Sequence, residues 1–231
     1  MKLHRFIGKY DLSQKEVEIT DIETIKQIRA VLRLEEGDKI ILCDGSGTEA
    51  EAIITSLSHN KIICEIEKIL DTNEPERKVS LYIAILKKEN FELAVQKAVE
   101  CGVANIIPVI TERTIKTGLN NERLEKIIRE ASEQSGRSIV PKLFEIMNFI
   151  DALENGKSAE EKIIFHLVEN KYMPDKNANL ISIFVGPEGG FTEKEIILAQ
   201  ESGYTPASLG RLTLRGETAG IVATYRAVNK I

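Results

Sequence analysis

From Val79 onward, runs of seven or eight largely apolar residues alternate with stretches of helical character. The runs are VSLYIAIL at 79–86, VANIIPVI at 103–110, KIIFHLV at 162–168 and LISIFVG at 180–186. A strand that is apolar on both faces must be covered on both faces, and the segments between the runs supply the covering helices. They span Asn90 to Cys101, closed by Gly102, then about Asn121 to Gln134, then IDALEN at 150–155. A further helix is opened by the capping box Thr192-Glu193-Lys194-Glu195 and closed by Gly203. The pattern predicts an α/β domain built on a parallel sheet.

The first seventy residues follow another rule. LHRFI, EVEI, KIILC, EAEAIITSL and KIICEIEKI are short strand-like runs separated by turn signals at Gly37-Asp38, Asp44-Gly45-Ser46-Gly47 and His59-Asn60. That spacing predicts a small β-barrel. One helix interrupts it, with Thr20-Asp21-Ile22-Glu23 as its capping box, Ile22, Ile25, Ile28 and Leu32 as its apolar stripe, and an end at or before Gly37. The polar DTNEPERK at 71–78 contains Pro75 and no periodicity, as a linker does. The expected division is therefore a barrel domain at 1–72, a link at 73–78 and an α/β domain at 79–231.

Composition narrows the function. The longest apolar runs stop far short of the roughly 20 residues of a membrane helix, and MKLHRFIGKYDL lacks the apolar core of a signal peptide, so a cytoplasmic protein is expected. Cys43, Cys64 and Cys101 are widely spaced in apolar surroundings and read as buried free thiols. His4, His59 and His166 show no metal-cage spacing, so no metal is expected. The net charge of −5 opposes nucleic-acid binding by a global field, and residues 1–75 alone carry 10 basic against 15 acidic side chains. Any nucleic-acid surface must be a local patch.

Chemistry concentrates in two segments. In VGPEGGFTEKE, from Val185 to Glu195, an apolar strand enters a Gly-Pro loop and leaves into a capped helix. The loop therefore stands at the carboxyl end of a parallel strand, where open α/β sheets bind ligands. Gly186, Gly189 and Gly190 permit positive φ and close ligand approach, Pro187 stiffens the turn, and Glu188 adds a charge. The residues match neither the dinucleotide nor the P-loop phosphate pattern, so another nucleoside-like ligand fits better. The second segment, SLGRLTLRGETAG at 208–220, follows a short strand-like run and precedes a helical tail. Arg211, Arg215 and Glu217 lie close together in it, and taken alone they read more simply as a salt bridge at a helix start.

Together these segments resemble the SPOUT class of S-adenosylmethionine-dependent RNA methyltransferases. LHRFI at 3–7, VLRLEEGDKI at 31–40, QKAVECGVANIIPVITERT at 96–114, EASEQSGRSIVPKL at 130–143, GPEGGFTEKE and LGRLTLRGETA resemble, in this order, the family that methylates N3 of a uridine in 16S ribosomal RNA of the small subunit. The resemblance implies a PUA-like barrel ahead of a SPOUT domain that ends in a trefoil knot and forms a homodimer. It assigns S-adenosylmethionine to three loops: Leu167 and Val168; Gly186, Pro187, Glu188, Gly189 and Gly190; and Leu209, Gly210, Leu212, Leu214 and Arg215. For catalysis it points to Arg215 first and Arg113 second as cations that stabilise the uracil anion. Glu188 and Glu217 either face the sulfonium or orient Arg215. His4, Arg5, Arg29 and Arg33 in the barrel and Lys87, Lys88 and Arg137 beyond it are the expected RNA contacts, with EASEQSGR continuing a helix beside the cofactor cleft. One departure is Arg29, which stands where this family often has histidine. The other readings are a SPOUT enzyme acting on another RNA base and a non-catalytic RNA-binding assembly factor.

Overall fold

In the computed structural model, residues 3–72, 74–115 and 117–231 are described, with Lys88 described by its backbone alone. The chain divides into two compact units, one of residues 1–74 with 132–140 and one of residues 75–131 with 141–231.

The first unit holds a small five-stranded sheet. Its strands are β1 (His4–Ile7), β2 (Glu16–Ile19), β3 (Lys39–Cys43), β4 (Glu49–Leu57) and β5 (Ile62–Leu70), in the order β1-β3-β4-β5-β2. All pairs are antiparallel except β1 with β3. Alternate residues point inward along most of these strands, so Val17, Ile19, Ile40, Leu42, Ile54 and Ile62 are buried, with Cys43 also buried beside Leu42. Ile25 and Ile28 of the intervening helix close that core.

The helix departs from the expected pattern in two ways. Helix α1 (Ile22–Lys26) is capped by Asp21, whose carboxylate accepts from Thr24 N at 2.8 Å, rather than by Thr20. It then runs into one π turn, Gln27–Val31. Ile22, the first helical residue, is exposed, whereas Ile25 and Ile28 are buried and Leu32 packs against the core as the stripe predicts.

The segment 132–140 supplies the last contributor to this unit. Glu74 takes the Ser138 and Ile139 N–H groups at 2.8 and 2.9 Å and the Arg137 guanidinium at 2.9 Å. Ile139 also bridges to Ser46. EASEQSGR continues α3 (Asn121–Ser135) as expected, its residues do not line the cavity of the second unit, and Ser132 and Arg137 within it are buried.

The second unit carries an all-parallel, seven-stranded sheet. Its strands are β6 (Lys78–Ala84), β7 (Asn105–Ile110), β8 (Lys142–Leu143), β9 (Met147–Asn148), β10 (Glu161–Phe165), β11 (Leu180–Val185) and β12 (Thr205–Ala207). The order is β12-β10-β11-β6-β7-β8, with β9 also on β7. The helices are α2 (Lys88–Glu100), α3 (Asn121–Ser135), α4 (Phe149–Asn155), α5 (Glu193–Glu201) and α6 (Gly216–Asn229). The predicted capping box on α5 is formed in full.

Both faces of the central strands are covered. Tyr82, Ile164 and Phe184 pack with Phe149, Ala152 and Leu153 of α4 and Ala199 of α5. Phe184 stacks on Tyr82 at 4.5 Å and meets Phe149 and Tyr204 edge-on at 5.8 and 5.0 Å. On the opposite face Ile83 points at α6, where Gly220 lets the helix come close. At the amino ends of β6 and β10 the buried Arg77 clasps the unit, donating to Glu161, to the Asp175 and Ala178 carbonyls and to the Ala227 carbonyl of α6. Among the described residues no helix is long and apolar enough to cross a membrane.

Candidate active site

Parallel strands end together, so the loops after β12, β10, β11, β6 and β7 meet along one edge of the sheet in that order. Successive connections leave in opposite directions on either side of the β11–β6 pair, which makes this edge the switch point where such sheets hold ligands. A cavity of about 650 Å³ opens there, within the second unit. It is lined by the predicted Leu167, Gly186, Pro187, Glu188, Gly189, Gly190, Leu209, Gly210, Leu212, Leu214 and Arg215, and by Arg113 and Glu217. Val168 is the one residue of the three predicted loops outside the lining; its N–H folds back to the His166 carbonyl at 3.0 Å.

The Gly186–Gly190 loop is held from below and from the side. Gly190 takes φ +68°, a conformation that favours glycine, and closes the turn with a 2.8 Å bond to Pro187 O. Arg113 donates to Gly189 O at 2.7 Å, and the Lys87 N–H donates to Glu188 Oε1 at 3.2 Å. Glu195 of the α5 capping box accepts from the Glu112 N–H at 2.9 Å and Thr192 Oγ1 donates to Glu112 Oε2 at 3.3 Å, so the loops after β7 and β11 are tied at several points. A rigid loop of this kind presents its backbone groups at fixed positions.

The third loop ends at the first turn of α6, where Gly216 packs against Leu86. An added Cβ at Gly216 would stand 2.7 Å from Leu86 Cδ2. The close approach carries Glu217 into the cavity wall, where it is only 7% exposed and its Oε2 has no hydrogen-bond partner. No ion pair joins it to Arg211 or Arg215 among the described residues, which removes the simple salt-bridge reading. Arg215 is the N-cap residue of α6 and exposed; its carbonyl accepts from the Ala219 N–H at 2.8 Å, while its guanidinium makes no hydrogen bond or ion pair among the described residues.

Two leucines on the rim are exposed without apolar cover, Leu167 at 64% and Leu212 at 80%. Flat apolar walls, fixed backbone polar groups and an unpartnered buried carboxylate together suit a ligand with an aromatic ring and a positive centre. Sequence reasoning missed Asn90, Phe165 and His166, which also line the cavity, while Phe191, Thr213 and Ala219 lie within the two segments it singled out. They sit beside predicted residues, and only the strand order brings them to one place.

The other predicted residues fall into two groups. His4 and Arg33 are exposed and Arg29 half-buried on the first unit, and Lys87 is exposed on the second, where it also lines the cavity. Arg29 leans on Ser58 O and His59 Nδ1, each at 3.1 Å. Arg5 is paired with Glu49 and contacts Cys43 Sγ at 3.2 Å, and Arg137 is paired with Glu74, so both are committed inside the first unit. The Lys88 side chain lies outside the described residues. The cysteines are free: burial pushes the Cys43 and Cys64 thiols up to about 11 and about 12, and Cys101 is half-buried.

Comparison with known proteins gives consistent matches. Residues 72–228 match the family described as RNA methyltransferase domain, and residues 19–67 match the RNA methyltransferase PUA domain. A ribosomal RNA small subunit methyltransferase E of Mesomycoplasma hyopneumoniae is 41% identical over 171 residues, 71% of this chain and 74% of that protein. The Rickettsia conorii protein of the same name is 30% identical over 96% of this chain and 94% of its own. Among solved structures, the ribosomal RNA small subunit methyltransferase E of Neisseria gonorrhoeae, bound to S-adenosyl methionine, superposes with a TM-score of 0.90 at 32% identity. That match covers 96% of this chain and 95% of the other.

Proposed function

Because the chain belongs to the RNA methyltransferase family, we propose that it transfers a methyl group from S-adenosylmethionine to N3 of a uridine in 16S ribosomal RNA of the small subunit. The observation that carries this reading is the cavity itself: three adjacent strand ends supply backbone-rich loops, exposed leucines and the unpartnered carboxylate of Glu217. These residues fit S-adenosylmethionine. Leu167, Leu209, Leu212 and Leu214 wall its adenine, the Gly186–Gly190 backbone holds its polar edges, and Glu217 faces its positive charge. When bound, the cofactor supplies an electrophilic methyl on a cationic sulfur.

The protein's own task is then to bind uracil as its anion and hold N3 in line. Arg215 is the cation for that task, because it stands on the cavity wall with its donors uncommitted among the described residues. Donation from Arg215 to a uracil carbonyl spreads the charge that N3 acquires when its proton passes to solvent water. Arg113 spends a donor on Gly189 O and so acts as a positioning residue for the loop. The first unit carries an RNA surface in which His4, Arg29 and Arg33 meet phosphates, and in the second unit Lys87 meets the RNA at the cavity.

Arg215→Ala should lower kcat about 10²- to 10³-fold with its melting temperature unchanged, whereas Arg113→Ala should mainly raise KM for the cofactor. Full activity in Arg215→Ala would return that residue to a structural role. The enzyme acts in the cytoplasm as a homodimer whose C-terminal segment closes a trefoil knot. Light scattering should give twice the 25.8 kDa chain mass, and a single-chain mass would remove the dimer.

A further inference from the structure

The cavity extends beyond the three loops assigned to the cofactor. Five adjacent strands, β12-β10-β11-β6-β7, send loops to it, and at about 4.8 Å per strand their ends span roughly 19 Å. The cofactor takes the loops of β12, β10 and β11. The loops of β6 and β7 remain, and they contribute Lys87, Asn90 and Arg113 to the lining. Lys87 and Arg113 already hold the Gly186–Gly190 loop, through the Lys87 N–H on Glu188 and the Arg113 guanidinium on Gly189 O. Asn90 differs. It stands half-buried in the first turn of α2, and its carboxamide makes no hydrogen bond among the described residues. The helix start beside it has no side-chain cap either. A carboxamide fixed on a helix, facing a cavity and lacking a partner is a group waiting for a ligand edge.

We propose that Asn90 reads the target base, donating its amide N–H to a uracil carbonyl from the β6 side of the cavity; this rests on the uridine methyltransferase reading above. Uracil carries a carbonyl on each side of N3, so a donor at one of them leaves N3 free to face the methyl. The carbonyl oxygens take up negative charge as N3 is deprotonated, and the bond to Asn90 strengthens as they do. Asn90 therefore contributes to kcat and to the choice of base, while the cofactor does not touch it. The charged and titratable groups lining this space are Lys87, Arg113, His166, Glu188, Arg215 and Glu217. Of these, Glu188 is held by the Lys87 N–H.

The test uses the full-length protein with Asn90→Ala and Asn90→Asp, small-subunit RNA and S-adenosylmethionine. Asn90→Ala should lower kcat for RNA methylation about 10- to 100-fold, as for loss of one hydrogen bond to a charged group. Its pH–rate profile should move to higher pH, because the bound uracil loses a donor that favoured its anion. Asn90→Asp should be slower still, since a carboxylate offers no donor and repels the anion. Melting temperature and S-adenosylmethionine affinity should stay at wild-type values in both. Unchanged kcat and pH profile in Asn90→Ala would overturn the proposal, as would a matching loss of cofactor affinity. If the wild-type protein binds S-adenosylmethionine but methylates no small-subunit uridine, the functional reading itself fails, and this inference with it.

Discussion

Replacing Arg77 with methionine tests how the methyltransferase unit is held together. Arg77 is 2% exposed and donates to Ala178 O at 2.8 Å, Asp175 O at 2.8 Å, Glu161 Oε2 at 2.9 Å and Ala227 O. Methionine fills most of the volume but leaves Glu161 buried without its counter-charge and takes one donor from each of three carbonyls. Breaking a buried pair by removing one partner costs about 3–5 kcal/mol. For a chain of this size each kcal/mol moves the melting temperature by about 2–4 °C, so the melt followed by far-ultraviolet circular dichroism should fall by roughly 6–20 °C. Adding Glu161→Gln to Arg77→Met should recover part of the loss, because the stranded charge is then gone. The clasp lies at the amino ends of β6 and β10, whereas the cavity lies at the carboxyl ends, so cofactor affinity at low temperature should hold within about twofold of the wild type. A melting temperature for Arg77→Met within roughly 2 °C of the wild type would refute the reasoning.

Three further outcomes follow from the same coordinates. Glu217→Gln removes a buried charge that has no partner, so it should leave the empty protein as stable or more stable while weakening S-adenosylmethionine binding about tenfold or more in titration calorimetry; unchanged binding would contradict its role. Gly216→Ala drives a methyl into Leu86 and should cost about 1–3 kcal/mol of stability, with weaker cofactor binding; a melting temperature and affinity equal to wild type would contradict the close packing. Burial alone would raise the Glu74 carboxyl, but the Ile139 N–H and the Arg137 guanidinium outweigh it and hold the group below its usual 4.5. A depressed folded value means that this stabilisation is present above the unfolded value and is lost as pH falls through the folded one. Glu74→Gln should therefore melt below wild type at neutral pH, with the gap closing on acidification, and an equal gap at every pH from 3 to 7 would contradict that account.

Much of the fold was legible because its signals are local. Continuous apolar runs marked β6, β7, β10 and β11, and the Thr192 to Glu195 box marked the start of α5 to the residue. Local signals also misled. At Thr20 to Glu23 two possible caps stand side by side, and Asp21 rather than Thr20 bonds the open Thr24 N–H. The π turn that follows has no signature in the apolar spacing. The site was partly legible, since Gly186 to Gly190 and Arg215 each lie in a recognisable strand–loop–helix setting. The convergence of five loops depends on β11 lying between β10 and β6, which no periodicity encodes. Arg5 and Arg137 show the same limit from the other side. Each reads as a surface cation until the fold brings Glu49 and Glu74 to it.

The central claim is that this chain methylates N3 of a uridine in small-subunit ribosomal RNA. Purified protein, methyl-labelled S-adenosylmethionine and small ribosomal subunits lacking that methyl group should be combined, and the digested 16S RNA read by nucleoside mass spectrometry. The account predicts label in N3-methyluridine, at one site, dependent on Arg215. Label confined to another nucleoside, or no label despite cofactor binding, would contradict it.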